Sequence, residues 1–192
     1  MKPFLSVIIP TYNDVRTLSL VLLSAKEYLE HRGYTYEILI ADCGSSDATP
    51  EIIRRFKLLV PGVKAMEIAA GATTGEAIKF ALASARGAWH GILSAKNTAH
   101  IDEFEKAIHR LKSGFDVAVG EYYGLQLYQK FYRIIHNLIV SPVERKICFL
   151  SDTASEIVSR AAGLVGDKWL PEMLKLSKQQ GLKIKKFPVC YN

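Results

Sequence analysis

"EILIADCGSSDATPEII", Glu37 to Ile53, is the stretch that decides the fold. Ile38 to Ala41 form a short apolar run that stops on Asp42. Bounded by turn residues, such a run reads as a buried strand. Cys43 to Asp47 follow as small and hydrogen-bonding residues, with Gly44 permitting a tight turn. Asp47 is placed to cap a helix, and Pro50 falls in its first turn. The stretch is therefore the first half of a strand–helix–strand unit.

The same pattern extends in both directions. "FLSVIIP" is a strand stopped at Pro10. "TLSLVLLSAKEYLEHRG" sets Leu18, Val21, Leu22, Ala25 and Leu29 at helical spacing, with Gly33 where a C-terminal cap belongs. "VKAMEIA", "WHGILSA" and "DVAVGE" are three further strands, separated by the helical "TGEAIKFALASARG" and "IDEFEKAIHRLKSG". Four alternations of strand and helix predict an α/β domain with a mostly parallel central sheet flanked by helices. Beyond residue 120 the order is less regular. "GLQLYQKFYRIIHNLIV" is apolar on nearly every turn. "DTASEIVSRAAGLV" reads as a short strand or turn followed by a helix, "LPEMLKLSKQQG" as a helix and "LKIKKFPVCY" as a closing strand. No repeat, low-complexity segment or linker interrupts the chain, so residues 1–192 are read as one domain.

Composition narrows the function classes. The chain is 49% hydrophobic and 23% charged, with a formal net charge of +6. That suits a globular domain with a sizeable core. No apolar run reaches the roughly 18 residues of a membrane span. "MKPFLSVIIP" lacks a cleavage-site pattern and reads as a first strand, not a leader. The positive charge is scattered, apart from "KIKK" at Lys183 to Lys186, which reads as a solvated edge-strand face; no nucleic-acid partner is expected. Three cysteines, Cys43, Cys148 and Cys190, without CxxC spacing fit neither a zinc site nor a disulfide framework. A reducing cytoplasm is the simplest compartment.

Ligands of open α/β sheets collect at the carboxyl ends of the strands. Strand one ends in "PTYND", strand two in "ADCGSSDAT" and strand four in "SAKNTAH". Asp42, at the end of a buried strand, is a carboxylate that needs a partner.

"SVIIPTYND", "EILIADCGSSDATPEII" and "GEAIKFALASARGAW", in this order and spacing, resemble the family-2 glycosyltransferases of the GT-A fold. Among these the resemblance is nearest to the polyprenyl- or dolichyl-phosphate sugar transferases. It covers almost the whole chain. It implies a nucleotide-binding half, residues 1–120, and an acceptor-side half, residues 121–192. It implies that Pro10, Thr11, Tyr12, Asn13 and Asp42 line the pocket for the nucleotide's base and ribose, with Gly75 in the neighbouring helix-opening motif. The implied partners are a UDP- or GDP-linked sugar and a polyprenyl-phosphate acceptor. Arg133 and Asn137, four apart on one helix face, occupy the region that meets the acceptor phosphate. Asp152 matches an acid near the acceptor and is the candidate general base for a hydroxyl acceptor.

Several positions depart from the family pattern. Cys43 stands for a second aspartate, and as a free cysteine it reads as a buried apolar filler. Glu76 stands for a lysine, with Lys79 one turn later. An acid in the first helical turn is favoured by the dipole, and Glu76 is read in that way. The largest departure is Ser94-Ala95-Lys96 in place of two carboxylates that hold Mg²⁺ or Mn²⁺. No metal ligand set is therefore assigned, although the resemblance implies a divalent ion. Two readings stay open. In one, the Lys96 ammonium replaces the cation beside the departing phosphate, and the enzyme works without a metal. In the other, the chain is a catalytically inactive homologue serving as a nucleotide-binding or assembly subunit. The segment 124–140 is likewise open between peripheral contact with a membrane surface and packing against the core, a second copy or a protein partner.

Overall fold

The computed structural model describes residues 2–95, 101, 103–122, 147–161 and 169–189. In chain order these form β1 (Leu5–Thr11), α1 (Leu18–His31), β2 (Tyr36–Asp42), α2 (Thr49–Leu59), β3 (Val63–Glu67), α3 (Thr74–Ser84), β4 (Trp89–Ile92), α4 (Glu103–Lys112), β5 (Val117–Tyr122), β6 (Cys148–Ser151), α5 (Asp152–Arg160), α6 (Trp169–Gln179) and β7 (Ile184–Val189). The described strands make one seven-stranded sheet in the order β3-β2-β1-β4-β6-β5-β7. All are parallel to one another except β6, which runs antiparallel to both its neighbours.

The apolar runs of β1 and β2 follow from burial on both faces. Val7, Ile9, Ile38 and Ile40 pack with Leu18, Leu22 and Leu29 of α1, Ile53 of α2, and Phe104, Ile108 and Leu111 of α4. Ile8, Leu39 and Ala41 face the other layer, with Ala77, Ile78 and Leu82 of α3, Val158 of α5, and Leu170 and Met173 of α6. The sheet takes strands from before and after residue 120, so the two cores are shared along the chain. Gly33 ends α1 with φ +65°, and the Tyr34 N–H returns to the Leu29 carbonyl at 3.0 Å. At the edge, β7 leaves Lys185 and Lys186 exposed, Lys186 pairing with Glu121 at 2.9 Å.

Two local expectations change. The strand before α5 is "CFLS", Cys148 to Ser151, and Asp152 opens the helix. A four-residue segment, three apolar residues and a serine, carries too little periodicity to separate strand from turn. Asp47 does accept from the Thr49 N–H at 2.9 Å, but α2 begins one residue later than a direct cap would require, with Ala48 at the N-cap position.

Candidate functional site

Strands β1 and β2 end together, Thr11 opposite Asp42. The ladder continues past them: the Cys43 N–H donates to the Thr11 carbonyl at 3.0 Å, and the Ile68 N–H to the Asp42 carbonyl at 3.0 Å. On the other side of β1, the Leu93 N–H donates to the Ile8 carbonyl at 2.9 Å. Residues 94 and 95 therefore leave β4 at the same end of the sheet.

The two loops above this end are bolted to each other through side chains. Asn13 adopts a left-handed backbone, φ +53°, which asparagine tolerates better than most residues. Its Oδ1 accepts from the Ser46 N–H at 2.8 Å and the Asp47 N–H at 3.4 Å. Its own N–H donates to Ser45 Oγ at 2.9 Å. The Ser45 hydroxyl in turn donates to Asp42 Oδ1 at 2.5 Å, and the Ser45 N–H reaches the same oxygen at 3.3 Å. Asp14 is buried and accepts from the Thr11 hydroxyl at 3.0 Å and the Tyr12 N–H at 3.1 Å. Asp47 closes the set by accepting from the Val15 N–H at 3.3 Å. Hydrogen bonds from Thr49 hold the Asp47 carboxyl below its usual range. Gly44, φ +80°, passes so close to the following loop that a Cβ would sit 3.0 Å from the Ala70 Cα. The product is a rigid double loop over an open strand end, with Tyr12 largely exposed at its rim.

Helix α3 enters this end behind a complete capping box. Thr73 Oγ1 accepts from the Glu76 N–H, and the Glu76 carboxylate accepts from the Thr73 N–H at 2.8 Å. That backbone hydrogen bond, with the Thr73 hydroxyl, lowers the Glu76 pKa. A glutamate where the family pattern has lysine is thus accounted for by the helix terminus it satisfies. Gly75 is buried in the same turn, and Cys43 is buried among Ile8, Leu39 and Ala77, the apolar position expected of it.

The structure thus brings together Pro10, Thr11, Tyr12, Asn13, Asp42 and Gly75. It does not bring Asp152 to them. Because β6 is antiparallel, Ser151 lies opposite Trp89, at the amino end of β4. Asp152 follows it there and pairs with Lys2 at 2.7 Å, both largely exposed. Six residues of β1 separate that level from Thr11, about 20 Å at strand rise. An acceptor arriving at the carboxyl ends finds no base in Asp152. Lys96, Arg133 and Asn137, like segment 124–140, lie outside the described residues.

The described residues of this site include no ligand set for a divalent ion. Ser94 stands where the first of the two carboxylates would be, the second position, Lys96, lies outside the described residues, and no group of three His, Cys, Asp or Glu side chains suited to a metal occurs among the described residues. By residue type, a serine hydroxyl and a lysine ammonium do not supply the two hard anionic ligands such an ion takes. Glu67 is a position that the reading of strand ends one, two and four passes over. It closes β3 directly opposite Asp42, and reading the third strand end in "VKAME" would have found it.

The chain is similar to known glycosyltransferases over most of its length. The chain is 26% identical to a dolichyl-phosphate beta-glucosyltransferase of Trichomonas vaginalis, covering 98% of this chain and 66% of that protein. Against the human dolichyl-phosphate beta-glucosyltransferase it is 31% identical over 43% of this chain and 28% of the other. The chain thus spans less than two thirds of these relatives. Among solved structures, the mannosyltransferase PcManGT of Pyrobaculum calidifontis, in complex with GDP-Man and Mn²⁺, superposes with a TM-score of 0.69 at 18% identity, covering 98% of this chain and 55% of that one. Glucosyl-3-phosphoglycerate synthase of Mycobacterium tuberculosis, in complex with Mn²⁺ and UDP, gives 0.70 at 16% identity over 99% and 72%. At these identities the likeness establishes the GT-A glycosyltransferase fold. The family description "Glycosyl transferase family 2" matches residues 6–164, which span both loops of the double clamp and six of the seven described strands, and the chain belongs to that family.

Proposed function

We propose that the chain is the catalytic domain of a glycosyltransferase that moves a sugar from a nucleoside diphosphate sugar to a lipid phosphate. The observation that carries this reading is the double loop Asn13–Ser45–Asp42, a pre-ordered cradle at the strand ends. Order of this kind lowers the cost of fixing a ligand. Base and ribose lie against Thr11, Tyr12, Asn13 and Asp42, and Gly75 lets the α3 turn approach.

In the transfer, an acceptor phosphate oxygen bonds to the anomeric carbon as the bond from that carbon to the diphosphate oxygen breaks. The nucleoside diphosphate leaves with the electron pair. Lys96 supplies positive charge beside the departing phosphate, where it and Ser94 stand in place of the family's two carboxylates. Arg133 and Asn137 hold the acceptor phosphate. That acceptor is already anionic at neutral pH, so the placement of Asp152 leaves no missing base. The dolichyl-phosphate relatives support the acceptor class. An inactive homologue is the less favoured reading, since the clamp around Asp42 is complete.

The test is transfer from UDP- or GDP-linked hexoses to a polyprenyl phosphate in detergent, with EDTA or with Mg²⁺ or Mn²⁺. Turnover that persists in EDTA and falls at least about 100-fold in Lys96→Ala is the expected result. Turnover only with a divalent ion would remove the role given to Lys96. No turnover together with intact nucleotide binding would restore the inactive reading.

A further inference from the structure

Exposed apolar side chains are not spread evenly over the protein. Among the described residues seven large ones stand exposed, and four of them, Tyr12, Val15, Leu20 and Leu23, fall within residues 12–23, beside the double loop. The Leu18 N–H donates to the Asp14 carbonyl at 3.0 Å and the Val21 N–H to the Thr17 carbonyl at 3.1 Å, so helical hydrogen bonding starts ahead of α1. Arg16, Leu20 and Leu23 follow one another at spacings of four and three, which sets them on one face. The buried Leu18, Leu22, Ala25 and Leu29 occupy the other. Leu20 and Leu23 are 65% and 44% exposed, and Arg16 is exposed with no ion pair among the described residues. The outer face changes character along the helix. Leu23 lies about 8 Å from the helix start, and beyond it the exposed residues are Ser24, Glu27 and Glu30, with Glu30 paired to Lys26 at 2.6 Å. An apolar patch with one unpaired cation therefore borders the proposed nucleotide cradle, and acids mark where it stops.

Leucines held out of the core on one face suit a partner that is itself apolar, and the guanidinium beside them suits phosphate. A phospholipid surface offers both, headgroup phosphate above acyl chain. The proposed acceptor supplies the position. Its phosphate has to reach the strand ends while its hydrocarbon chain stays in the bilayer, so the side of the domain that carries those ends meets lipid. We propose that Val15, Leu20 and Leu23, with Arg16 on the headgroup phosphates, dock the domain on a phospholipid bilayer. The inference rests on the lipid-phosphate reading and adds the face that meets the membrane. Leu58 and Leu59 are more exposed still, 81% and 78%. They close α2 at the amino end of the sheet, just ahead of Val63, and take no part in the docking.

The experiment is flotation of the whole chain with vesicles of phosphatidylcholine and a minor fraction of phosphatidylglycerol. The parent should float, and the pair Leu20→Glu and Leu23→Glu should partition at least about tenfold less. The pair Leu58→Glu and Leu59→Glu, the same change at the other end of the sheet, should float like the parent. All four positions are exposed, so both variants should fold. Transfer to a polyprenyl phosphate held in the same vesicles should fall with the Leu20 and Leu23 changes, while transfer in detergent stays as in the parent. Failure of the parent to float, an unchanged Leu20 and Leu23 variant, or an equal loss in both pairs would overturn the inference. So would sedimentation showing that the Leu20 and Leu23 changes split a dimer without altering flotation, which would give the face to a second copy. Transfer by the parent in detergent decides the glycosyltransferase reading separately.

Discussion

Asn13 carries two burdens, a left-handed backbone and four hydrogen bonds across to the second loop. They can be separated. Asn13→Gly keeps the backbone and loses the side-chain acceptor, which should cost about 1 kcal/mol in urea unfolding. Asn13→Ala adds the left-handed penalty and should cost about 2–3 kcal/mol. Both should weaken nucleotide binding. A glycine variant as stable and as tight-binding as the parent would mean that the inter-loop bonds organise nothing. At this scale, residue type and position made the loop geometry legible, because Asp42, Asn13 and Gly44 answer local demands of strand end, left-handed turn and close approach. Glu76 was legible for the same reason, since a capping box is local.

Among the elements, β6 is where sequence patterning ran out. "CFLS" is short, and its direction is set by the partners on either side, β4 and β5, not by its own residues. Reversing that one strand moves Asp152 from the acceptor end to the opposite end of the sheet. The same level holds a polar row. Glu37, Ser6 and His90 are successive register partners on β2, β1 and β4, and Glu37 accepts from the Ser6 hydroxyl and from Lys64, each at 2.6 Å. His90 is buried with its Nδ1 unpartnered among the described residues. Burial holds its pKa below the ordinary 6.5, against the opposing influence of Asp152 and Glu37, while Lys2 adds to the lowering. A histidine kept neutral in the fold but free to ionise in the unfolded chain favours folding above the unfolded pKa. That contribution is lost as the pH falls through 6.5 toward the depressed folded value. Urea titrations from pH 7.5 to 5 should show stability falling by up to about 1.4 kcal/mol per pH unit. His90→Phe should flatten that slope while exposed His31 and His109 remain. An unchanged slope would place the acid sensitivity elsewhere.

Over the whole molecule, acids gather at one end although the chain is net positive by 6. Asp14, Asp42, Asp47, Glu67 and Glu76 all belong to the carboxyl-end strands and loops, four of them spent on loop or helix-end hydrogen bonds. Alternation of strands and helices made the parallel half of the sheet readable. The joining of the later strands to it was not readable, because those contacts are long-range. That joining has a mechanical consequence. β6 is inserted between β4 and β5, and β7 pairs with β5, so the sheet has no seam at residue 120. The two tryptophans test this directly. Trp89 lies on β4 against the core shared with α1 and α4. Trp169 opens α6 and is buried in the core on the opposite face, from the later part of the chain. Single-tryptophan proteins, Trp89→Phe and Trp169→Phe, report on opposite layers and opposite halves. If the domain unfolds as one unit, fluorescence and circular dichroism within each variant give coincident urea transitions, and the m-values of the two variants agree within about 10–15%. A fluorescence transition displaced from the backbone signal in either variant would mean that residues 1–120 and 121–192 melt apart, despite sharing a sheet.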